Sequence, residues 1–496
     1  VTAGLVLGID IGTSSSKACL ADAGGQVVRT AERAHRTSNP RPGWFEHDAT
    51  DVWWHDALAL CREVLSGETE APAAVCVSGI GPCLLPATAS GEPLRPAILY
   101  GIDTRAQAEI DWLVEALGAE RILARGGSPL TSQAVGPKLL WLRRHEPETW
   151  ARCRRFFMAS SFLVHRLTGE YVLDHHSASQ CDPLYDLGRG DWAEDWVELA
   201  APGLELPELR WAGEVAGHVT PAAAELTGLR AGTPVMAGTI DAWAEAASVS
   251  VGEPGDLMLM YGTTMFLVQV VAEGRPDARL WTTAGLLPGT RTLAAGMATS
   301  GALTSWFRDL TGAGFDVLLA EAGAVPPGSD GLVVLPYFAG ERTPLFDPSA
   351  RGAVLGLTLA HGRGHLYRAL LEGTAYGVRH NLEAMAQSAG PPVRVCAVGG
   401  GTRGGLWLQV VSDVAGVTQE LRRHTLGASY GDAWLAATGA GLTGPTAAWN
   451  PVVATVEPDP EAAERYQPLY DVYRDLYPST RHLAHRLAAI QEAEPR

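Results

Sequence analysis

Leu5-Val6-Leu7-Gly8-Ile9-Asp10-Ile11-Gly12-Thr13-Ser14-Ser15-Ser16-Lys17-Ala18-Cys19-Leu20 decides how this chain is read. An apolar run enters, a glycine and a set of hydroxyl side chains follow, and a second apolar run leaves. That order predicts a β-hairpin. Its turn draws on Asp10, Gly12 and the residues Thr13, Ser14, Ser15 and Ser16. Gly12 lets the backbone come close to a ligand, and the hydroxyls and free N–H groups beside it suit a phosphate. Asp10, at the end of a buried strand, is placed to hold a phosphate-bound Mg²⁺ through water. The same residues also make an ordinary hairpin turn.

A second copy of the plan raises the odds of the phosphate reading. Leu257-Met258-Leu259-Met260-Tyr261-Gly262-Thr263-Thr264-Met265-Phe266-Leu267-Val268-Gln269-Val270-Val271 again runs from an apolar strand through Gly-Thr-Thr into an apolar strand. A repeat half a chain away suggests two similar domains. Two phosphate loops, one per domain, would grip a nucleotide between them. The second loop has Met260 or Tyr261 where the first has its acid, so only the first works through a metal.

Composition narrows the class. The 496 residues favour two or more domains. With 46% hydrophobic and 19% charged residues the chain is expected to pack a core rather than stay disordered. A net charge of -17 argues against nucleic acid and anionic membrane as partners. The seven cysteines are scattered without CxxC spacing, so neither a zinc site nor a disulfide framework is expected, and a reducing cytoplasm fits. The apolar N-terminus has no basic lead and meets Asp10 too soon for a signal peptide. No apolar run approaches the ~18 residues of a membrane span.

Two further stretches carry candidate chemistry. Val235-Met236-Ala237-Gly238-Thr239-Ile240-Asp241 is a strand ending in a glycine, with Asp241 directly before the helical run Ala242 to Val249. Read alone, Asp241 is an N-cap. Val395-Cys396-Ala397-Val398-Gly399-Gly400-Gly401-Thr402-Arg403-Gly404-Gly405 is a strand entering a glycine-rich turn, with a helix from about Leu406 to Ala415. Gly400, Gly401 and Gly404 would let the backbone lie flat against an adenine or ribose. The spacing is not GxGxxG, so a dinucleotide fold is not indicated.

Taken together and in this order, the motifs resemble those of the FGGY carbohydrate kinases, a family of the actin-like ATPase superfamily, and within it the xylulokinase branch. The resemblance runs from Gly4 to about Gly441 and includes the Lys138-Leu139-Leu140-Trp141 helix, the Leu167-Thr168-Gly169-Glu170 turn and the Gly340-Glu341-Arg342-Thr343-Pro344 loop. It implies an α/β fold of two actin-like (ribonuclease H-like) ATPase domains with an interdomain cleft. Residues 1–248 would form the N-terminal domain, with the sugar site, first phosphate loop and catalytic Asp. Residues 249–450 would form the C-terminal domain with the nucleotide site, and 451–496 a helical tail in which Tyr466, Tyr470, Tyr473 and Tyr477 pack at helical spacing.

The resemblance also implies ATP and Mg²⁺ as cofactors and a small sugar as substrate, in a cytoplasmic enzyme. Asp241 would be the general base that takes the proton of the sugar hydroxyl, which competes with capping for one carboxylate. Asp10 would order the Mg²⁺. Gly12, Thr13, Ser14, Ser15, Gly262, Thr263 and Thr264 would supply donors to phosphates, and Gly301 close approach to the nucleotide. Around the sugar the chain departs from the pattern. Xylulokinases carry Met-His in the Ser78 to Cys83 loop, where this chain has Gly81 and Pro82. Glycerol kinases carry Arg-Glu there, and neither is present. Tyr100 stands for the Trp of a Trp-x-Asp-x-Arg motif whose Asp103 either pairs with Arg105 or faces the sugar. The resemblance points to D-xylulose or a close ketopentose, with other ketoses, polyols and sugar acids as alternatives. A non-catalytic binding protein of the same fold is the rival from another class. Many family members are homodimers, though nothing in this sequence marks an interface.

Overall fold

The computed structural model describes residues 4–444 and 449–493. The outer limits of the domain expectation, residues 1 and 496, lie outside them. The chain forms two compact units. The first comprises Val1–Pro254, Ala272–Thr292 and Leu426–Asn450; the second comprises Gly255–Val271, Leu293–Thr425 and Pro451–Arg496. Two segments of the second half of the sequence therefore belong to the first unit.

The first unit is built on a seven-stranded sheet. Strand β1 (Leu5–Ile11) is buried along its whole length, as a continuous apolar run requires when both sheet faces are covered. It pairs antiparallel with β2 (Ser15–Asp22), which pairs with β3 (Val27–Ala34). Burial drops to alternating positions in β3 at the sheet edge. A π-helical turn over Ala49–Trp54, capped by the Asp48 side chain, leads into α1 (His55–Leu65). The sequence predicts one continuous helix from Val52; the π turn displaces its start by three residues. Strand β4 (Ala74–Gly79) lies parallel to β1 on the other side. Beyond it come β5 (Val215–His218), β6 (Pro234–Met236) and the short β7 (Thr239–Ile240), in the order β5-β6-β4-β1-β2-β3 with β7 also on β4. Helix α2 (Asp241–Ser248) follows β7 without a break.

The second unit repeats the opening. Strands β8 (Asp256–Tyr261) and β9 (Met265–Val271) form an antiparallel hairpin around Gly262-Thr263-Thr264. Helix α3 (Gly301–Thr311) and the 27-residue α4 (Arg363–Ala389) precede β10 (Arg394–Val398), which runs parallel to β8. Helix α5 (Leu406–Ala415) and β11 (Gln419–Arg422) complete the βαβ step. Both units thus have the α/β character that the strand and helix alternation predicts.

Helix α6 (Ala428–Gly439) belongs to the first unit and packs directly on β1. A Cβ at Gly8 would lie 1.9 Å from the Ser429 carbonyl oxygen and 2.5 Å from the Ala433 nitrogen. A Cβ at Gly431 would lie 1.8 Å from the Ala244 carbonyl oxygen of α2. Glycine at these two places lets strand and helix backbones touch. The chain ends in the second unit with β12 (Val452–Val456) and α7 (Pro460–Ala493). The four tyrosines of α7 are buried as their spacing predicts, and the Tyr473 hydroxyl lies 2.7 Å from that of Tyr337. Among the described residues no helix is long and apolar enough to cross a membrane.

Candidate active site

Strand β4 sits between β1 and β7, with Ser78 in register with both Asp10 and Thr239. This pairing delivers Asp10 at the end of one neighbour and Asp241 at the end of the other. Asp10 is buried, 8% exposed. Loss of hydration raises its pKa to about 6, against the opposing pull of the Ser78 hydroxyl, Lys17 and His35. Asp241 is the first residue of α2 rather than the cap before it, a place held by Ile240. Its Oδ1 accepts the Ala242 N–H at 2.7 Å. Loss of hydration, then the negative charge of Asp10, and more weakly Glu245, hold Asp241 well above the ordinary carboxylate range, while the Ala242 N–H opposes them. Asp241 and Asp10 therefore sense one another, as two carboxylates sharing one site do.

Two further carboxylates join this group, and sequence reasoning missed both. Glu245 lies four residues beyond Asp241, on the same face of α2. Burial and then Asp10 push it up to about 7. Asp432 of α6 is fully buried. The Ser78 Oγ lies 2.6 Å from Asp432 Oδ2 and 3.1 Å from Asp10 Oδ1, so it bridges the two acids. Burial is the first cause that holds Asp432 well above the carboxylate range, and Asp10 adds to it. A carboxylate in the otherwise apolar run Tyr430-Gly431-Asp432-Ala433-Trp434-Leu435 needs a buried partner, and that was the available signal.

The hairpin loop after β1 closes with the Gly12 N–H on the Ser15 carbonyl at 3.0 Å, which leaves Thr13 and Ser14 at the tip. In the neighbouring loop a Cβ at Gly81 would lie 2.6 Å from Ile240 Cγ1, the residue before Asp241. Gly81 and the buried Pro82 thus border the Asp241 segment. Asp103 is committed elsewhere. Its carboxylate takes the Arg105 guanidinium at 2.7 to 3.1 Å and the Phe45 N–H at 2.7 Å. Arg105 is itself fully buried, stacks 4.0 Å over Trp44 and pairs with Glu46 at 2.8 Å. The ion-pair alternative is the one the geometry displays. Tyr100 is half-buried against the core of the first unit. Counting two residues back from Asp103 reaches Gly101, so Tyr100 stands one place before the Trp position. Gly101 is covered by Gln133, whose Oε1 accepts its N–H at 2.9 Å.

In the second unit the remaining candidates gather at the ends of β8 and β10. The Gly262 N–H donates to the Thr264 carbonyl at 3.1 Å. The Gly301 and Ala302 N–H groups donate to the Gly262 and Thr263 carbonyls, each at 3.0 Å. A Cβ at Gly301 would lie 2.6 Å from the Gly262 oxygen, so only glycine permits α3 to start against this loop. A Cβ at Gly401 would meet the Tyr261 Cβ at 2.9 Å, which sets the glycine-rich turn beside the residue before Gly262. Gly400 has open space around its Cβ position, and Gly404 faces Leu319.

The first unit thus holds a buried acid pair, and each unit holds a glycine-threonine hairpin loop. The chain matches the N-terminal domain of the FGGY family of carbohydrate kinases over residues 5–247 and its C-terminal domain over 257–440, and it belongs to that family. It is 30% identical to a xylulose kinase of Escherichia coli strain K12, over 95% of this chain and 98% of that protein. A glycerol kinase of Nocardia farcinica is 31% identical over 83% of this chain and 85% of its own length. The crystal structure of a xylulose kinase from Rhodospirillum rubrum superimposes with a TM-score of 0.91 at 35% identity, covering 97% of this chain and all of that one. The chain is therefore a carbohydrate kinase, and membership of this kinase family implies ATP use.

Proposed function

We propose that the chain transfers the γ-phosphoryl group of ATP to a hydroxyl of D-xylulose or a related ketopentose, with Asp241 as general base. The observation that carries this reading is the delivery of Asp10 and Asp241 to the ends of strands that flank β4, with Asp241 raised by burial and then by the Asp10 charge. A carboxyl whose pKa has been moved toward neutrality holds an abstracted proton better than an ordinary one. Asp241 would accept the hydroxyl proton as oxygen attacks phosphorus, the bond to the ADP oxygen breaks, and the electron pair leaves with ADP. The loop residues Gly12, Thr13, Ser14 and Ser15, with Gly262, Thr263 and Thr264, would hold the phosphates; Gly301, Gly400, Gly401 and Gly404 would border the nucleoside. Catalysis of this type rests on positioning and electrostatics.

The donor set suits Mg²⁺. Asp10, Asp241 and Glu245 are hard oxygen donors, and beyond burial the Asp10 charge raises both of the others, so a cation beside them would relieve that repulsion. No group of three or more His, Cys, Asp or Glu among the described residues is arranged to hold a metal unaided. The ion would be carried in on phosphate oxygens, with Asp10 as its protein partner. When bound, Mg²⁺ would supply charge compensation for the phosphates.

The xylulose kinases among its relatives support the ketopentose. Gly81 and Pro82 in place of Met-His favour a second reading, in which the same chemistry serves another ketose, a polyol or a sugar acid. ADP release from Mg-ATP, measured against a panel of these compounds, decides. A response to D-xylulose alone supports the first reading and a response to another compound the second. Tight ATP binding with no response to any compound of the panel would count against both readings and favour a substrate outside it or a non-catalytic protein of this fold.

A further inference from the structure

The tip of the first phosphate loop is held from behind by three hydrogen bonds to three successive carbonyls. His35 Nε2 lies 3.1 Å from the Gly12 oxygen, the Thr37 hydroxyl donates to the Thr13 oxygen at 2.9 Å, and the His35 N–H donates to the Ser14 oxygen at 2.9 Å. A carbonyl oxygen can only accept, so His35 Nε2 carries a proton. In a trans peptide the N–H of the next residue points away from the carbonyl. Anchoring the Gly12 and Thr13 carbonyls on one side therefore aims the Thr13 and Ser14 N–H groups to the other. Neither N–H donates to any group among the described residues.

Each anchor is itself backed by the core. The His35 Nδ1 lies 2.9 Å from Asp56 Oδ2, which also accepts the Ser16 hydroxyl at 2.9 Å, and both side chains are 7% exposed. The second relay has a single consistent direction. Trp53 Nε1–H donates to His47 Nδ1 at 3.1 Å, so His47 Nε2 bears its proton and donates to the Thr37 hydroxyl at 3.0 Å. That hydroxyl then spends its one hydrogen on Thr13. Burial, with His35 nearby, lowers the His47 pKa to about 4, so the ring stays neutral as this relay demands.

We infer that His35, with Thr37 and His47, is a positioning group for the first phosphate loop, turning the Thr13 and Ser14 N–H groups toward the terminal phosphates of the nucleotide. The inference rests on the kinase reading above. These side chains touch no reactant; they act through the Gly12 and Thr13 carbonyls. The anchors lie outside every motif that defines the loop in the sequence, because they reach it through backbone atoms.

Three variants of the full chain test it: His35→Ala, His35→Gln and Thr37→Val. Gln restores an N–H donor at the Nε2 position, and Val removes only a hydroxyl at equal volume. The readouts are the KM for ATP, the KM for the sugar, kcat, and the Kd of ADP. Loss of one anchor at about 1 kcal/mol is worth about fivefold. We expect His35→Ala and Thr37→Val each to raise the KM for ATP and the Kd of ADP about three- to tenfold, with the sugar KM within twofold of wild type. His35→Gln should regain most of the loss. Nucleotide constants unchanged in Thr37→Val and His35→Ala, while the wild type binds ADP, would overturn the positioning role and leave the kinase reading standing. Equal changes in ATP and sugar KM with no rescue by Gln would also overturn it, as general destabilisation. A wild type that binds no ADP would overturn both.

Discussion

Asp432→Asn should make the protein more stable than wild type, by a margin that grows with pH. The Ser78 hydroxyl has one hydrogen and faces two carboxyl oxygens, Asp432 Oδ2 at 2.6 Å and Asp10 Oδ1 at 3.1 Å. Two ionised acids cannot both be served by that hydrogen. Asp432 is fully buried and held well above the ordinary 3.8, first by burial and also by the Asp10 charge. It is therefore the protonated partner, donating to Ser78, which donates to Asp10. An acid whose folded pKa is raised holds its proton in the folded state after the unfolded chain has lost it. Stability thus falls as pH rises from the unfolded value toward the folded one, by about 1.4 kcal/mol per pH unit for one full proton. Asn keeps a donor toward Ser78 and an acceptor toward the Cys76 thiol, 3.8 Å away, without any proton to lose. Unfolding of the first unit, followed in urea at pH 5, 6 and 7, should show the Asn variant pulling ahead by up to about that slope. Asp432→Ala, which leaves Ser78 without a donor, should fall about 1 to 3 kcal/mol below the Asn variant at every pH. A constant offset between Asn and wild type across this range, or an Asn variant less stable at every pH, would refute the assignment and mark Asp432 as an ionised group.

Two other expectations follow from contacts already described. Gly8→Ala should destabilise the first unit by about 3 kcal/mol or more, because its Cβ meets the α6 backbone rather than a movable side chain; an unchanged urea midpoint would contradict that packing. Glu245→Gln removes a negative charge that raises Asp241, so Asp241 ionises at lower pH and the acid limb of kcat/KM should move down; an unmoved limb would separate Glu245 from the catalytic group.

The hairpin loops at Gly12 and Gly262, and the strand-to-helix step at Asp241, were legible because each is local: an apolar run, a glycine and a polar tip within a dozen residues. Ser78 and Asp432 were not, because sheet register brings Ser78 to Asp10 across 68 residues and helix packing brings Asp432 to Ser78 across 354. Strand β5 was missed for a different reason. It is four residues long, partly exposed, and slips register at Gly217, so it shows no alternation. The return of 426–450 to the first unit has no sequence signal of its own; it is enforced by Gly8 and Gly431. His35 and Thr37 belong to a third kind, in which the contact is to backbone oxygen and leaves no trace in side-chain patterns.

Asp241→Ala tests the central claim most directly, with ADP release measured under saturating Mg-ATP and sugar. Removing the base should lower kcat by at least about 10²-fold, the low end of what such proton transfer contributes, while the sugar KM and the Kd of ADP move far less. Turnover near the wild-type rate, with the variant folded and both substrates bound, would contradict the assignment of Asp241 as the general base.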